Sequence, residues 1–175
     1  MLRTIKTLTF VYIPREDRIM TAINAGHAEA WSCWLTRRLA LAVLDRAAGY
    51  LTSTSQLAQR APAELRSEMT AFEREAGIAK TAGAMSVTPP AVLKQSETVA
   101  ELADRLMIAQ HGEGFRLELR GQSEEGAAGL FKRAELQRVL QMLQVEVTKA
   151  GWMVAPAPPQ AAAPPAASDT KPSRH

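Results

Sequence analysis

The sequence has few of the residues that build covalent or metal-stabilised proteins. Cys33 is the single cysteine among 175 residues, so no disulfide can form within the chain and no cysteine zinc site can be built. The histidines, His27, His111 and His175, form neither an H-x-x-x-H nor an H-E-x-x-H pair. We therefore predict no metal site and no cofactor. The lone thiol favours a reducing compartment.

The sequence also lacks a long hydrophobic run. No apolar stretch approaches the roughly 20 residues that a bilayer-spanning helix needs. The short apolar segment near the start is interrupted by threonines, and Pro14 and Arg15 end it without a small-residue cleavage site. We expect a protein without membrane association, in the cytoplasm of a bacterium-like cell.

Familiar catalytic motifs are absent as well. The chain has no G-x-S-x-G motif and no Walker motif, and the G-x-G at 112–114 lies between predicted strands and lacks a third glycine. Cys33 lies between Trp31 and Trp34 in an apolar segment, which favours a small buried hydrophobe over a reactive thiolate. We predict no catalytic residues and no enzyme. An enzyme that uses Cys33 or a pair of Asp17 and Asp104 is the least favoured hypothesis.

The composition is that of a globular protein. Hydrophobic residues make up 46% of the chain and charged residues 22%, which is enough apolar material for a core. The net charge is +3, so no large field of one sign surrounds the molecule. A committed duplex-DNA binder usually has a stronger basic stripe than this mild excess of positive charge indicates, and a local role in nucleic-acid binding is left open.

Residues 1–51 predict three strands followed by a helix. Segments rich in β-branched and aromatic residues alternate with turn residues, and Thr36 is placed to cap a helix. We place the strands at 7–13, 18–23 and 29–35 and the helix at 37–48. Gly49 is predicted to follow the helix as its C′ residue.

Residues 52–97 predict a helical connector and a flexible loop. Leu65, Met69, Phe72 and Ala76 recur at i, i+4, i+7 and i+11, which predicts one buried face of a helix that begins near Pro62 and stops at Gly77. The segment 79–97 loses this periodicity and contains two adjacent prolines. It is predicted to be a flexible loop.

Residues 98–153 repeat the pattern of the first unit. We place strands at 105–109, 115–120 and 130–131, separated by a tight turn and by a polar loop over 121–128, and a helix at 134–150 that ends at Gly151. In the second strand, Phe115, Leu117 and Leu119 are predicted to face the core. The segment 154–175 is rich in proline and alanine and is predicted to be a disordered tail.

Similar segments in the two units suggest an internal duplication. The segment 17–20, Asp-Arg-Ile-Met, matches 104–107, Asp-Arg-Leu-Met, and the junctions before the helices also correspond, at 35–38 and 131–134. We predict an α+β fold of two similar β-β-β-α units that pack together, with a pseudo-two-fold axis as the simplest arrangement. Coincidence is the alternative, because hairpins followed by a helix are common.

The order of these elements resembles that of the Whirly and PUR-repeat proteins, which use duplicated sheet-then-helix units. The resemblance covers roughly residues 5–150 and implies single-stranded nucleic-acid binding. It includes no specific motif, so it assigns no functional residue to this chain.

Two groups of residues are candidates for binding. Arg37, Arg38, Lys132 and Arg133 lie at the two predicted strand-to-helix junctions, where a helix N-terminus already favours an anion. Trp34 points away from Trp31 on a regular strand, with Trp31, Cys33 and Leu35 inward, so Trp34 either packs under a helix or is a candidate for a protein interface.

These observations predict a non-enzymatic binding or scaffolding module that acts through a protein partner. The alternative is a single-stranded nucleic-acid-binding protein that uses the two basic junctions. The partner's identity and the oligomeric state are left open by the sequence.

Overall fold

A computed structural model describes residues 1–81 and 88–153. Its strands are β1 (Leu2–Thr4), β2 (Leu8–Ile13), β3 (Arg18–Ile23), β4 (Trp31–Leu35), β5 (Glu101–His111), β6 (Gly114–Gly121) and β7 (Gly126–Phe131). Its helices are α1 (Arg37–Ser53), α2 (Gln56–Arg60), α3 (Arg66–Thr81), α4 (Pro90–Thr98) and α5 (Arg133–Lys149), with a 3-10 turn at Ala63–Leu65 before α3. The structure confirms a mixed fold of helices and strands.

The strands form one sheet in the order β1-β7-β6-β5-β4-β3-β2. The strands β2, β3 and β4 form an antiparallel meander that leads into α1, and β5, β6 and β7 form another that leads into α5. The meanders join where β4 runs parallel to β5, through only the pairs Cys33↔Glu101 and Trp34↔Leu102. The strand β1 extends the sheet by pairing in parallel with β7.

Helices α1 and α5 cover one face of the sheet, and α3 packs against α5. A single main core includes Ile19 and Leu35 from the first meander, Leu117 and Leu119 from the second, and Val147 from α5. The two predicted units therefore share a core. Within the described ranges, no helix is both long and apolar enough to cross a membrane.

Several strands lie where the alternation of apolar residues in the sequence predicts them. The strand β3 has the predicted bounds, and Phe115, Leu117 and Leu119 of β6 are 3%, 2% and 0% exposed. The helix α5 ends as predicted at Gly151, whose φ of +66° lets the N–H of Trp152 donate to the carbonyl oxygen of Val147. Other elements differ from their predictions: β5 begins at Glu101, and the polar loop predicted over 121–128 is shorter because β7 begins at Gly126.

The helix α1 does not end at Gly49. It continues to Ser53, and Gly49 lies within it with nothing near the position of a Cβ atom. The added turn is stabilised by packing, since Leu51 is 6% exposed and forms a small cluster with Phe115 and Leu136. The prediction that α1 ends before Gly49 was wrong because packing contacts of the last turn outweigh the tendency of glycine to end a helix.

The buried face of α3 is not the one that the periodicity predicts. Leu65 is 41% and Phe72 63% exposed, whereas Gly77, predicted to stop the helix, is buried within it. A Cβ atom on Gly77 would lie 3.2 Å from the Cα of Ala134 and 2.3 Å from Oε1 of Gln137. The absence of a side chain at Gly77 thus allows α3 to approach α5 closely, and this contact fixes the rotation of α3.

The prediction of a flexible loop over 79–97 was also wrong for the residues that the structure describes. The helix α3 extends to Thr81, and α4 begins at Pro90, in the first turn where proline is well tolerated. The rest of that predicted loop, at 82–87, and the predicted disordered tail at 154–175 lie outside the described residues.

The sequence match at 17–20 and 104–107 does not join equivalent strands. Residues 17–20 lead into β3, the second strand of the first meander, whereas 104–107 lie in β5, the first strand of the second. A two-fold axis between the units would place equivalent strands side by side. In the structure, β4, the last strand of the first meander, instead pairs with β5, the first strand of the second. The meanders are therefore arranged head to tail, and the predicted pseudo-two-fold arrangement was wrong.

Candidate functional site

The four basic junction residues have different surroundings. The junctions lie at the same end of the sheet, but β5 and β6 separate β4 from β7, so they are about 14 Å apart. Arg37, Arg38 and Lys132 are exposed, and Arg133 is partly buried. Arg37 donates through Nη2 to the carbonyl oxygen of Trp152, 3.3 Å away. The four side chains therefore do not form one continuous patch.

Arg133 connects three helices. Its guanidinium donates to the carbonyl oxygen of Leu51 at 3.0 Å and to Oγ1 of Thr54 at 2.7 Å, at the C-terminal end of α1. It also lies 3.6 Å from the carboxylate of Glu73 on α3 and 5.2 Å from the ring centre of Phe115. A cation at the end of a helix is favoured by the helix dipole, so these contacts give Arg133 a structural role.

The tryptophans of β4 face opposite sides of the sheet, as the strand period requires. Trp31 is 8% exposed and belongs to the main core together with Cys33 and Leu35. Trp34 lies on the other face, opposite Met20 and Leu102, and is only partly buried. Its use as a protein interface stays a prediction.

The histidines His27 and His111 cannot share a metal ion. His27 lies in the turn between β3 and β4, whereas His111 ends β5, and these positions are at opposite ends of the sheet. No group of three or more metal-ligating side chains occurs in the chain as far as the structure describes it.

Asp17 and Asp104 do not hold equivalent places. Asp17 lies in the turn before β3 with a φ of +46°, and its Oδ1 accepts hydrogen bonds from the hydroxyl of Tyr12 and from Nε1 of Trp152, at 3.0 and 2.9 Å. Asp104 is exposed where the register of β5 against β6 shifts by one residue. Asp17 is therefore a turn residue, whereas Asp104 lies within a strand.

The thiol of Cys33 is fully buried under the helices. Burial, with a smaller contribution from the negative charge of Glu101, raises the pKa of the Cys33 thiol to about 12. A reactive cysteine needs the opposite environment, with positive charge and partial exposure that lower the pKa. Cys33 therefore acts here as a small core residue.

A groove of about 1060 Å³ lies between α1, α3 and α5 on the side of these helices away from the sheet. We call it the helical groove. Its apolar lining residues are Leu41, Leu44, Leu51, Ile78, Leu140, Val145 and Met153. Charged residues of both signs, Asp45, Arg74, Glu75 and Lys149, also line it. The helical groove is thus an apolar trough with a mixed polar component.

The helical groove contains exposed apolar side chains and a buried amide group without a hydrogen-bond acceptor for its Nε2 in the described part of the chain. Val145 and Met153 are 46% and 54% exposed, whereas Leu51, which also lines the groove, is buried. Gln137 also lines the groove and is 2% exposed, and its Nε2 donates no hydrogen bond within the described residues. Buried polar groups are nearly always paired in folded proteins, so this amide has unused hydrogen-bonding capacity.

The opposite face of the sheet has a different chemistry over β5, β6 and β7. Arg116, Glu118 and Arg120 alternate with the buried Leu117 and Leu119 and so point away from α1 and α5. Arg105 pairs directly with Arg120 across the strands. We call this surface, with the exposed Met107 and Leu130 beside it, the arginine face.

Glu118 is the one acidic residue within the arginine face. Its carboxylate accepts from Arg120 Nε at 2.7 Å and from Arg116 Nη2 at 3.0 Å, and the residue is 7% exposed. The hydrogen bond from Arg120 is the main cause that holds the pKa of Glu118 below its usual range, and Arg116 adds to it. The carboxylate therefore stays charged and tied to these two arginines.

Sequence reasoning predicted neither the helical groove nor the arginine face. The groove combines residues from three helices that are distant in sequence, so no local pattern contains it. One signal was present: the apolar residues of α1 spread over more than half of its circumference, more than one contact with a sheet needs. For the arginine face, the alternation of Arg116, Glu118 and Arg120 was the corresponding signal.

Comparison of the chain with protein-family models, with curated proteins and with solved structures gave no match.

Proposed function

We propose that this protein is a non-enzymatic binding module whose helical groove receives an apolar segment of a partner protein. The groove itself is the observation that carries the proposal. Small-molecule sites usually measure about 300–1000 Å³ and enclose their ligand. A groove of about 1060 Å³ that is open along one side suits an extended ligand better.

An amphipathic helix is the segment that best matches this groove. Three helices supply aliphatic walls, which is the surface that receives the apolar face of another helix in helix-in-groove recognition. The charged residues Asp45, Arg74, Glu75 and Lys149 accompany the apolar lining, and protein interfaces commonly combine an apolar centre with a polar rim.

The basic junctions have less support as a nucleic-acid site. Arg37 and Arg133 already bind backbone carbonyl groups of this chain, and Arg37, Arg38 and Lys132 are exposed but do not form one patch. Single-stranded nucleic-acid binding there stays the alternative proposal, and an internal duplication stays a proposal supported only by the matching order of elements. Loss of affinity for a single-stranded oligonucleotide on neutralising Arg38 and Lys132 would favour that alternative.

The groove proposal is tested with helical peptides displayed on phage and selected against the full-length protein. We expect enriched peptides to have apolar residues at i, i+3 or i+4, and i+7. Val145→Glu, at a partly exposed groove position, should raise the Kd of a selected peptide by about tenfold or more, as expected for an interface anchor.

Leu57→Glu is the matched control, because Leu57 is 42% exposed on α2 and does not line the groove. It should leave the Kd unchanged. Selection without enrichment of such peptides, or peptides that bind the Val145→Glu variant as tightly as the original protein, would contradict the proposal.

A further inference from the structure

The arginine face lies on the side of the sheet opposite the helical groove and has its own charge pattern. Arg105 and Arg120 are directly opposite each other on β5 and β6, and like charges at such positions destabilise a sheet. Glu118 compensates Arg116 and Arg120 by its two hydrogen bonds. Arg105 is exposed and has no ion pair within the described residues.

Acidic groups at the margin of this face do not cancel the charge of its centre. Glu124 lies 3.7 Å from Arg120 but its side chain is 80% exposed, so solvent screens this pair strongly. Asp104 is exposed at the register shift beside Arg105. On the two strands that form the centre, three arginines therefore face a single buried carboxylate.

Apolar side chains lie beside these arginines. Met107 is 43% exposed and pairs with Glu118, and Leu130 is 63% exposed and pairs with Arg116. The other side of the same strands is covered by α1 and α5. A sheet face with exposed aliphatic residues commonly packs against a helix, and here a helix would need acidic residues to match the arginines.

From this pattern we propose that the arginine face binds an acidic amphipathic helix of a second protein. Arg116 and Arg120 are about 13 Å apart along β6, a distance that about nine residues of a helix span. Carboxylates at that spacing pair with the two ends of the face, and apolar residues between them contact Met107 and Leu130. The protein then holds two partners on opposite sides of one sheet.

The observations favour a protein partner over a single-stranded nucleic acid. Bases bind to exposed aromatic side chains on sheet platforms, whereas the large exposed apolar residues of this face are a methionine and a leucine, and Trp34 on the same side of the sheet is only partly exposed. A guanidinium pairs with a carboxylate through two parallel hydrogen bonds, which suits glutamate and aspartate side chains on a helix.

The test uses a synthetic helical peptide of about 20 residues with leucines on one face and glutamates beside them, long enough to form a helix in isolation. Its control replaces each glutamate with lysine. We expect the glutamate peptide to bind the full-length protein and the lysine peptide not to bind. Arg105→Glu should raise the Kd by at least about threefold, and added salt should weaken binding.

Two variants make the outcome specific. Arg46→Glu, at an exposed position of α1, carries the same charge change away from the arginine face and should leave the Kd unchanged. Val145→Glu should also leave it unchanged, because this inference does not depend on the helical groove. Equal binding of both peptides, no binding of either, or an Arg105-dependent affinity for oligo(dT) without binding of the glutamate peptide would overturn the proposal.

Discussion

Glu101 lies where the two halves of the sheet meet, and its carboxylate connects them. It accepts from Nε1 of Trp31 in the first meander and from the backbone N–H and hydroxyl of Ser123 in the second, each at 2.8 Å. Gly121 makes room for it, since a Cβ atom there would lie 2.1 Å from the Glu101 carboxyl carbon. One carboxylate thus supports a junction that contains only two paired residues on each strand.

Acid should weaken this junction. Burial by itself would raise the pKa of Glu101, but the hydrogen bonds from Ser123 and Trp31 outweigh burial and lower the pKa. A carboxyl group whose pKa is lower in the folded state stabilises the fold above its unfolded pKa of about 4.3 and loses that contribution as the pH falls through the folded value. The free energy of unfolding should therefore fall steadily below about pH 4.

The variant Glu101→Gln tests whether the charged Glu101 carboxylate stabilises the junction between the two meanders. At neutral pH this variant should lose about 1–3 kcal/mol, the usual cost of disrupting hydrogen bonds to a charged group. As the pH falls through the lowered pKa of folded Glu101, the variant should approach the original protein in stability, because Glu101 is then protonated and neither side chain carries a charge. Urea unfolding across this range measures the difference. Glu113→Gln, in the exposed turn before β6, is the control, and a similar pH dependence in both variants would contradict the account.

The elements depend on tertiary contacts to different degrees. The strands β3 and β6 were predictable, because each has one buried face and its alternation follows the strand period. The rotation of α3 was not, because the exposed Phe72 lies on the face with the better periodicity while Gly77 packs against α5. A helix whose closest contact is a glycine gives no hydrophobic signal for that contact.

Two glycines inside helices provide a matched pair of variants. Gly77→Ala should destabilise the protein by about 1–3 kcal/mol, because the new methyl group would overlap Oε1 of the buried Gln137 and crowd the backbone of Ala134, which forces α3 away from α5. Gly49→Ala should stabilise it by about 0.5–1 kcal/mol, because a Cβ atom there meets nothing within 4 Å and alanine is the better helix former. Thermal or urea unfolding measures both.

The pair separates packing from helix propensity. If Gly77→Ala stabilised the protein as Gly49→Ala does, the close approach of α3 and α5 would be wrong. The helical groove would then need a different shape, since α3 forms one of its walls.

In the whole molecule, the head-to-tail arrangement of the meanders leaves a different surface on each side of the sheet. Helices α1 and α5 pack on the sheet around one core, and α3 forms the third wall of the helical groove. The other side of the sheet carries the arginine face. The sequence indicated a binding module, but it could not indicate these surfaces, because each is assembled from segments that only the topology brings together.

The helical groove is tested most directly by a methyl NMR titration of the full-length protein with a helical peptide selected against it. We expect shifts in the methyl groups of Leu44, Ile78, Leu140 and Val145, which line the groove, with little change at Leu130 on the arginine face. The same titration of the Val145→Glu variant should require much more peptide. Shifts confined to Leu130 and Met107, or shifts that persist in that variant at the same peptide concentration, would contradict the central claim.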